Sequence, residues 1–219
     1  MVQNERVMYM NGEIVGESQA RLSVHDQGFI HGDAVFDTAR TFGGKLFRLK
    51  EHIDRLYDSC RYMRLNPGVD KKKITQLTNQ VLELNLPLLK SDEDYWVSQR
   101  ITRGVASTYP GQEERHTLII DCRVIPFAKR ARYYVDGIPL VTPSVRRVPH
   151  WAISPRAKTH NYINMVLADL EVRASNPSAW ALLLDERGNV AEGQGCNVFV
   201  VKNGMLLTPK EQYVLSGVS

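Results

Sequence analysis

The chain has 219 residues, 43% hydrophobic and 24% charged, with a formal net charge of +4. That length buries one large core or two small ones, and that balance describes neither a disordered nor a membrane chain. The basic excess is spread along the sequence, which suits an anionic small molecule and predicts no nucleic-acid partner.

Residues 1–6 are polar, with no apolar signal region, and no run is long enough to span a bilayer, so a cytoplasmic protein without a membrane partner is expected. Asn11-Gly12 between residues 7–10 and 13–15 predicts a hairpin, because both positions suit the positive φ angles of a type I′ turn. Gly43-Gly44 predicts a second, between 41–42 and 45–47. Leu49, Ile53, Leu56, Tyr57, Cys60 and Met63 fall on one face of a helix over 49–64. Ile74, Leu77, Val81 and Leu84 mark another helix, and strands are expected at 94–102 and 117–126. The Lys/Arg-dense stretch from Pro126 to Gly137 predicts a linker. Beyond it come a helix carrying Ile163, Val166, Leu167, Leu170 and Ala174, and hairpins over 181–191 and 198–207. Strands grouped apart from helices predict an α+β fold. Cys60, Cys122 and Cys196 are far apart and form no metal-ligand spacing, so three reduced thiols are expected and no metal.

Four places carry chemistry. Lys158 follows a proline turn and precedes the third helix; only an uncharged amine attacks an aldehyde, so a shielded lysine there is a Schiff-base candidate beside the alternative of a solvated charge. Glu192 leaves a hairpin between glycines, where a flat ligand can approach, or lies in an exposed bulged turn. Arg55 can pair bidentately with a phosphate, or with Asp54 or Glu51 of its own helix. The small residues of Leu215-Ser216-Gly217-Val218-Ser219 can cup an anion with their N–H groups, or form a plain loop.

In order and spacing, Arg55 in His52-Ile53-Asp54-Arg55-Leu56, Lys158 in Lys158-x-x-Asn161-Tyr162, Glu192 in Glu192-Gly193-x-Gly195-x-Asn197 and the terminal Gly217-Val218-Ser219 resemble the class IV (fold-type IV) pyridoxal-phosphate-dependent aminotransferases. The resemblance implies a small α/β domain over 1–130, a linker at 131–137, and the first part of a pseudo-barrel α+β domain over 138–219, since family members continue past the position of Ser219. It implies pyridoxal 5'-phosphate as cofactor, with Lys158 as the catalytic, cofactor-bearing lysine and Glu192 facing the pyridine nitrogen. Arg55, Val218 and Ser219 would hold the phosphate, and Tyr162 the ring hydroxyl. A homodimer acting on an amino donor and a 2-oxo acid acceptor follows in the same way.

For the substrate pocket the resemblance points to His31, Phe36, Arg40 and Tyr95. Phe36 and Arg40 agree with the branched-chain enzymes, whereas His31, Asp37 and Thr38 depart from them, and Tyr95-Trp96-Val97 lacks the arginine of their Tyr-x-Arg strand. Thr102-Arg103-Gly104 looks like the D-amino-acid and (R)-amine subgroups, although Thr108-Tyr109-Pro110 replaces the former's Arg-x-His trap. Arg40 either binds a substrate carboxylate or pairs with Asp33 or Asp37. A branched-chain amino-acid transaminase is the leading expectation; (R)-amine or D-amino-acid transamination, an aminodeoxychorismate lyase and a non-catalytic basic binding protein are the alternatives.

Overall fold

The protein is described by a computed structural model over residues 5–106 and 115–218. Two short strands, β1 (Val7–Met10) and β2 (Glu13–Gly16), form the first hairpin, with Asn11 at φ 50° and Gly12 at φ 109°. A one-turn helix, α1 (Gln27–His31), starts where Asp26 accepts from the Gly28 N–H and stops at Gly32, φ 67°. The Gly43-Gly44 turn joins β3 (Ala34–Phe42) to β4 (Lys45–Leu46). Helices α2 (Leu49–Tyr62) and α3 (Lys71–Asn85) follow, the latter capped by Asp70, and then the long hairpin of β5 (Tyr95–Val105) and β6 (Arg115–Val124). The strands make one antiparallel sheet in the order β2-β1-β6-β5-β3-β4.

Side chains alternate across a strand, and here the alternation decides where the core lies. Val35, Tyr95, Val97, Ile101, Leu118, Ile120 and Cys122 face one side and pack with Ile53, Leu56 and Cys60 of α2 and Ile74, Leu77 and Val81 of α3. Each such side chain contributes about 1.5–3 kcal/mol by leaving water. Asn85 ties the end of α3 to β1, accepting from the Val7 N–H and donating to the Val7 carbonyl. All three cysteines are free thiols.

The chain separates into two compact units: residues 1–127 with 158–160 and 218–219, and residues 128–157 with 161–217. The basic stretch expected as a linker forms two helical turns, α4 (Phe127–Arg130) and α5 (Tyr133–Asp136). In the second unit β7 (Leu140–Val141) is followed by α6 (Ile163–Ser175) and by β8 (Trp180–Ala181), which pairs parallel with β7. A hairpin of β9 (Val200–Lys202) and β10 (Met205–Leu207) comes last. The expected hairpin over 181–191 is present as a short, irregular pair: Leu184 bridges Val190, Leu183 N–H donates to the Glu192 carbonyl and Ala191 N–H to the Leu183 carbonyl, both at 3.0 Å. Helix α6 also differs from expectation: Met165, Ala168 and Val172 are buried, while Ile163, Val166, Leu167 and Leu170 are exposed. The cluster of Ala179, Ala181 and Leu183 takes up only that narrower stripe, centred on the small Ala168. The architecture is α+β.

Candidate cofactor and substrate site

Lys158 belongs to the first unit although it lies some thirty residues beyond that unit's main segment. Residues 158–160 run alongside β3: Phe36 N–H donates to the Lys158 carbonyl at 3.0 Å, His160 N–H donates to the Ala34 carbonyl at 2.9 Å, and Thr159 bridges Val35. Because Thr159 pairs with a core-facing residue, Lys158 and His160 turn to the opposite face of the sheet. There the Lys158 amine stands 4.5 Å from the centre of the Phe36 ring, and His160 meets the same ring edge-on at 5.3 Å. Burial pushes the His160 pKa down to about 4, with the Arg100 charge adding to the effect, so at neutral pH this imidazole carries no charge.

The Lys158 backbone is also tied to α2. Its N–H donates to the Ser59 hydroxyl at 3.0 Å, and that hydroxyl donates to the Arg55 carbonyl at 2.9 Å. One buried serine therefore links the strand carrying the lysine to the helix carrying the arginine. Arg55 pairs with neither Asp54 nor Glu51: Asp54 takes Lys50 and Lys71, and Glu51 takes Arg48. Its guanidinium is held instead by Asp37 of β3, Nε to Oδ2 at 2.7 Å and Nη2 to Oδ1 at 2.8 Å, and His52 Nδ1 stands 2.7 Å from the same Oδ1. Burial by itself would raise the Asp37 pKa; hydrogen bonds and charge from Arg55 and His52 outweigh it and hold the carboxyl below its ordinary value.

Among the proposed substrate residues, Phe36 lies on the Lys158 face. Arg40 shares that face through strand alternation, but pairs with neither suggested aspartate. Asp33 is held by Arg103, and Asp37 by Arg55 and His52. The Arg40 guanidinium lies 3.8 Å over the Phe42 ring and donates to the Thr41 carbonyl. Tyr95 is a correction. It is fully buried on the core face, with its hydroxyl donating to the Asn85 carbonyl, so it is a core residue and not a pocket residue. The β5 residues that share the Phe36 face are Trp96, Ser98 and Arg100. His31 is exposed at the end of α1.

In the second unit Glu192 is 4% exposed and salt-bridged, accepting from Arg147 Nε at 2.6 Å and from the Leu215 N–H at 3.2 Å. The exposed-turn reading of Glu192 is thereby excluded, and one N–H of the small-residue turn serves this carboxylate. Tyr162 stands at the N-terminus of α6 and packs against that unit's core. The Val218 carbonyl, grouped with the first unit, accepts from Arg48 at 3.4 Å. Ser219 and Thr108-Tyr109-Pro110 lie outside the described residues. The sequence reading gave Asp37 only as a departure from the branched-chain pattern or a partner of Arg40, and gave His52, Ser59 and Arg147 no role of their own. A trace of two of them was there: His52 and Ser59 are polar positions seven apart on the buried stripe of α2.

In their chemistry, an amine, a held guanidinium and a buried, salt-bridged carboxylate suit a phosphorylated pyridine aldehyde. Residues 34–219 match the family model described as amino-transferase class IV. The chain belongs to the class IV aminotransferases. As such it is an enzyme, a transaminase. This aminotransferase is 37% identical over 213 residues to a Methanocaldococcus jannaschii protein that carries a provisional branched-chain-amino-acid aminotransferase name, covering 97% of this chain and 71% of that one. It is 28% identical to a D-alanine aminotransferase of Staphylococcus haemolyticus, covering 97% and 72%. The crystal structure of the Escherichia coli branched-chain amino acid aminotransferase superposes with a TM-score of 0.87 at 25% identity, covering 98% of this chain and 71% of that one. Among the described residues no helix is long and apolar enough to cross a membrane, and no cluster of His, Cys, Asp and Glu could hold a metal.

Proposed function

We propose that this aminotransferase uses pyridoxal 5'-phosphate held on Lys158 and moves the amino group of a branched-chain amino acid to a 2-oxo acid. The observation that carries the reading is the Lys158 amine on the Phe36 face, its backbone bonded both to β3 and, through Ser59, to the helix bearing Arg55. When bound, the cofactor supplies a ring that accepts the electrons left when a proton is taken from the substrate α-carbon. Lys158 would hold the cofactor through its Nζ, and that amine, when free and uncharged, would take up and return the α-proton of the substrate. Glu192, fixed by Arg147, holds the proton of the ring nitrogen. Arg55 takes the phosphate in the orientation Asp37 and His52 impose, with Val218 and Ser219 as further phosphate contacts and Tyr162 on the ring hydroxyl. Phe36, with Trp96 farther along the same face opposite Arg40, offers apolar surface to an aliphatic side chain, and His31 and Arg40 complete the proposed pocket. A homodimer in the cytoplasm fits this reading; the exposed Val24, Phe29 and Ile30 and the free thiols support it.

Borohydride reduction of the cofactor-loaded protein should fix a phosphopyridoxyl group on the peptide containing Lys158. Lys158→Ala should lose both the yellow colour and turnover. Undiminished transfer by that variant, or labelling of another lysine, refutes the assignment. The D-alanine aminotransferase relative supports a second substrate reading; L-leucine, D-alanine and (R)-1-phenylethylamine as rival donors separate the classes.

A further inference from the structure

Helix α2 gives one of its buried positions to a hydroxyl. Ser59 is fully buried on the stripe that also carries Leu56 and Cys60, where an apolar side chain would need no hydrogen-bond partner. Its hydroxyl donates to the Arg55 carbonyl one turn back, at 2.9 Å, as a mid-helix serine commonly does. With the hydroxyl hydrogen committed there, the oxygen is left as an acceptor, and it takes the Lys158 N–H at 3.0 Å.

That second bond departs from the ladder it adjoins. In a regular antiparallel ladder a hydrogen-bonded pair of facing residues exchanges two backbone bonds, one in each direction. Lys158 faces Phe36 beside the Val35–Thr159 bridge, and Phe36 N–H donates to the Lys158 carbonyl at 3.0 Å. The Lys158 N–H, in contrast, donates across to the helix. A closed circuit results. It runs from Phe36 to Lys158, through Ser59 to the Arg55 carbonyl, and from the Arg55 guanidinium to Asp37, which follows Phe36 in β3. Every member lies in the first unit. The chain joins that unit at Lys158 and leaves it after His160, so each backbone bond of this short segment bears on where the amine, 4.5 Å from the Phe36 ring centre, can reach.

We propose that Ser59 is a positioning residue that sets the span between the Lys158 amine and the Arg55 guanidinium, so that one ligand carrying an aldehyde and a phosphate engages both at once. This rests on the reading that Lys158 holds pyridoxal 5'-phosphate and Arg55 its phosphate. Two contacts on one ligand reinforce each other only when their spacing matches the ligand's. Removing the serine hydroxyl leaves the amine and the guanidinium present and chemically competent, and removes the match.

The test uses the full chain freed of cofactor and compares pyridoxal 5'-phosphate with pyridoxal, which offers the same aldehyde without the phosphate. Titration of the imine absorbance gives both dissociation constants. Wild type should prefer the phosphorylated aldehyde. In Ser59→Ala that preference should fall by about 10-fold, the scale of one hydrogen bond lost from a buried N–H, and Ser59→Thr, which keeps the hydroxyl, should recover part of it. A purely structural role would weaken both aldehydes in proportion. An unchanged preference in folded Ser59→Ala therefore overturns the proposal, as does a wild type that shows no preference. If Ser59→Ala does not fold, Ser59→Cys, close in shape but a weak hydrogen-bonding group, decides by the same ratio. Borohydride labelling of wild type keeps the two readings apart: label on another lysine refutes Lys158 as the cofactor lysine, whereas label on Lys158 with an unchanged ratio refutes the role of Ser59 alone.

Discussion

Replacing Asp37 by Asn removes one negative charge from the middle of the first unit while keeping shape and volume. No cavity opens, so the whole effect is electrostatic. Asp37 is fully buried, and its partners His52 and Arg55 are 2% and 14% exposed. Breaking a buried ion pair from one side costs about 3–5 kcal/mol, because the charge left behind stays out of water. Arg55 keeps some contact with solvent, so roughly 3 kcal/mol is expected. With a urea slope of about 2 kcal/mol/M, the unfolding midpoint should fall by about 1.5 M. The native carboxyl titrates below its unfolded value of about 3.9. Its stabilisation is therefore complete above that pH and is lost as pH falls through the lower native value. The stability gap between wild type and Asp37→Asn should be constant from neutral pH to about pH 5 and close in stronger acid. Urea titrations across that range measure it. A midpoint equal to wild type, or a gap that persists undiminished in strong acid, would refute the claim that Asp37 holds Arg55 as a charged pair. The same variant should bind pyridoxal 5'-phosphate more weakly if Arg55 takes the phosphate.

Two further outcomes follow from single side chains. The native His160 pKa, about 4, lies below the ordinary 6.5, so as pH falls the unfolded chain takes up the proton first. Stability should decline between pH 6.5 and 4 by up to ~3 kcal/mol, and His160→Gln should flatten that slope; an identical slope in the variant would sink the argument. Burial pushes the Cys60 and Cys122 thiols up to about 12; partial burial raises the Cys196 thiol as well, but Cys196 alone of the three is exposed to a reagent. Native protein at pH 8 should therefore give one rapidly titrated thiol per chain with an aromatic disulfide reagent, and three in denaturant; rapid reaction of three in the native state would contradict the core placement of Cys60 and Cys122.

What was legible in the sequence is what depends on neighbours along the chain. Asn11-Gly12 and Gly43-Gly44 make their turns because those backbones take positive φ cheaply. The 3.6-residue spacing of Ile53, Leu56 and Cys60 dictates a helix with one buried side whatever it packs on. The Lys158, Glu192 and Arg55 motifs are local too, and they sufficed to name the family. The pairing of Asp37 with Arg55, eighteen residues away, was not legible, because a carboxylate's partner is set by which strand lies under which helix. Nor was the side of β5 that faces Lys158. A strand alternates with period two, so placing Tyr95 in the pocket and not in the core is an error of one residue that turns every side chain over. Only the β3–β5 register puts Arg100 beside Phe36 and Tyr95 against α3. The return of Lys158–His160 to β3 was likewise a tertiary decision, made by backbone hydrogen bonds that any sequence of residues could offer and only the fold aligns.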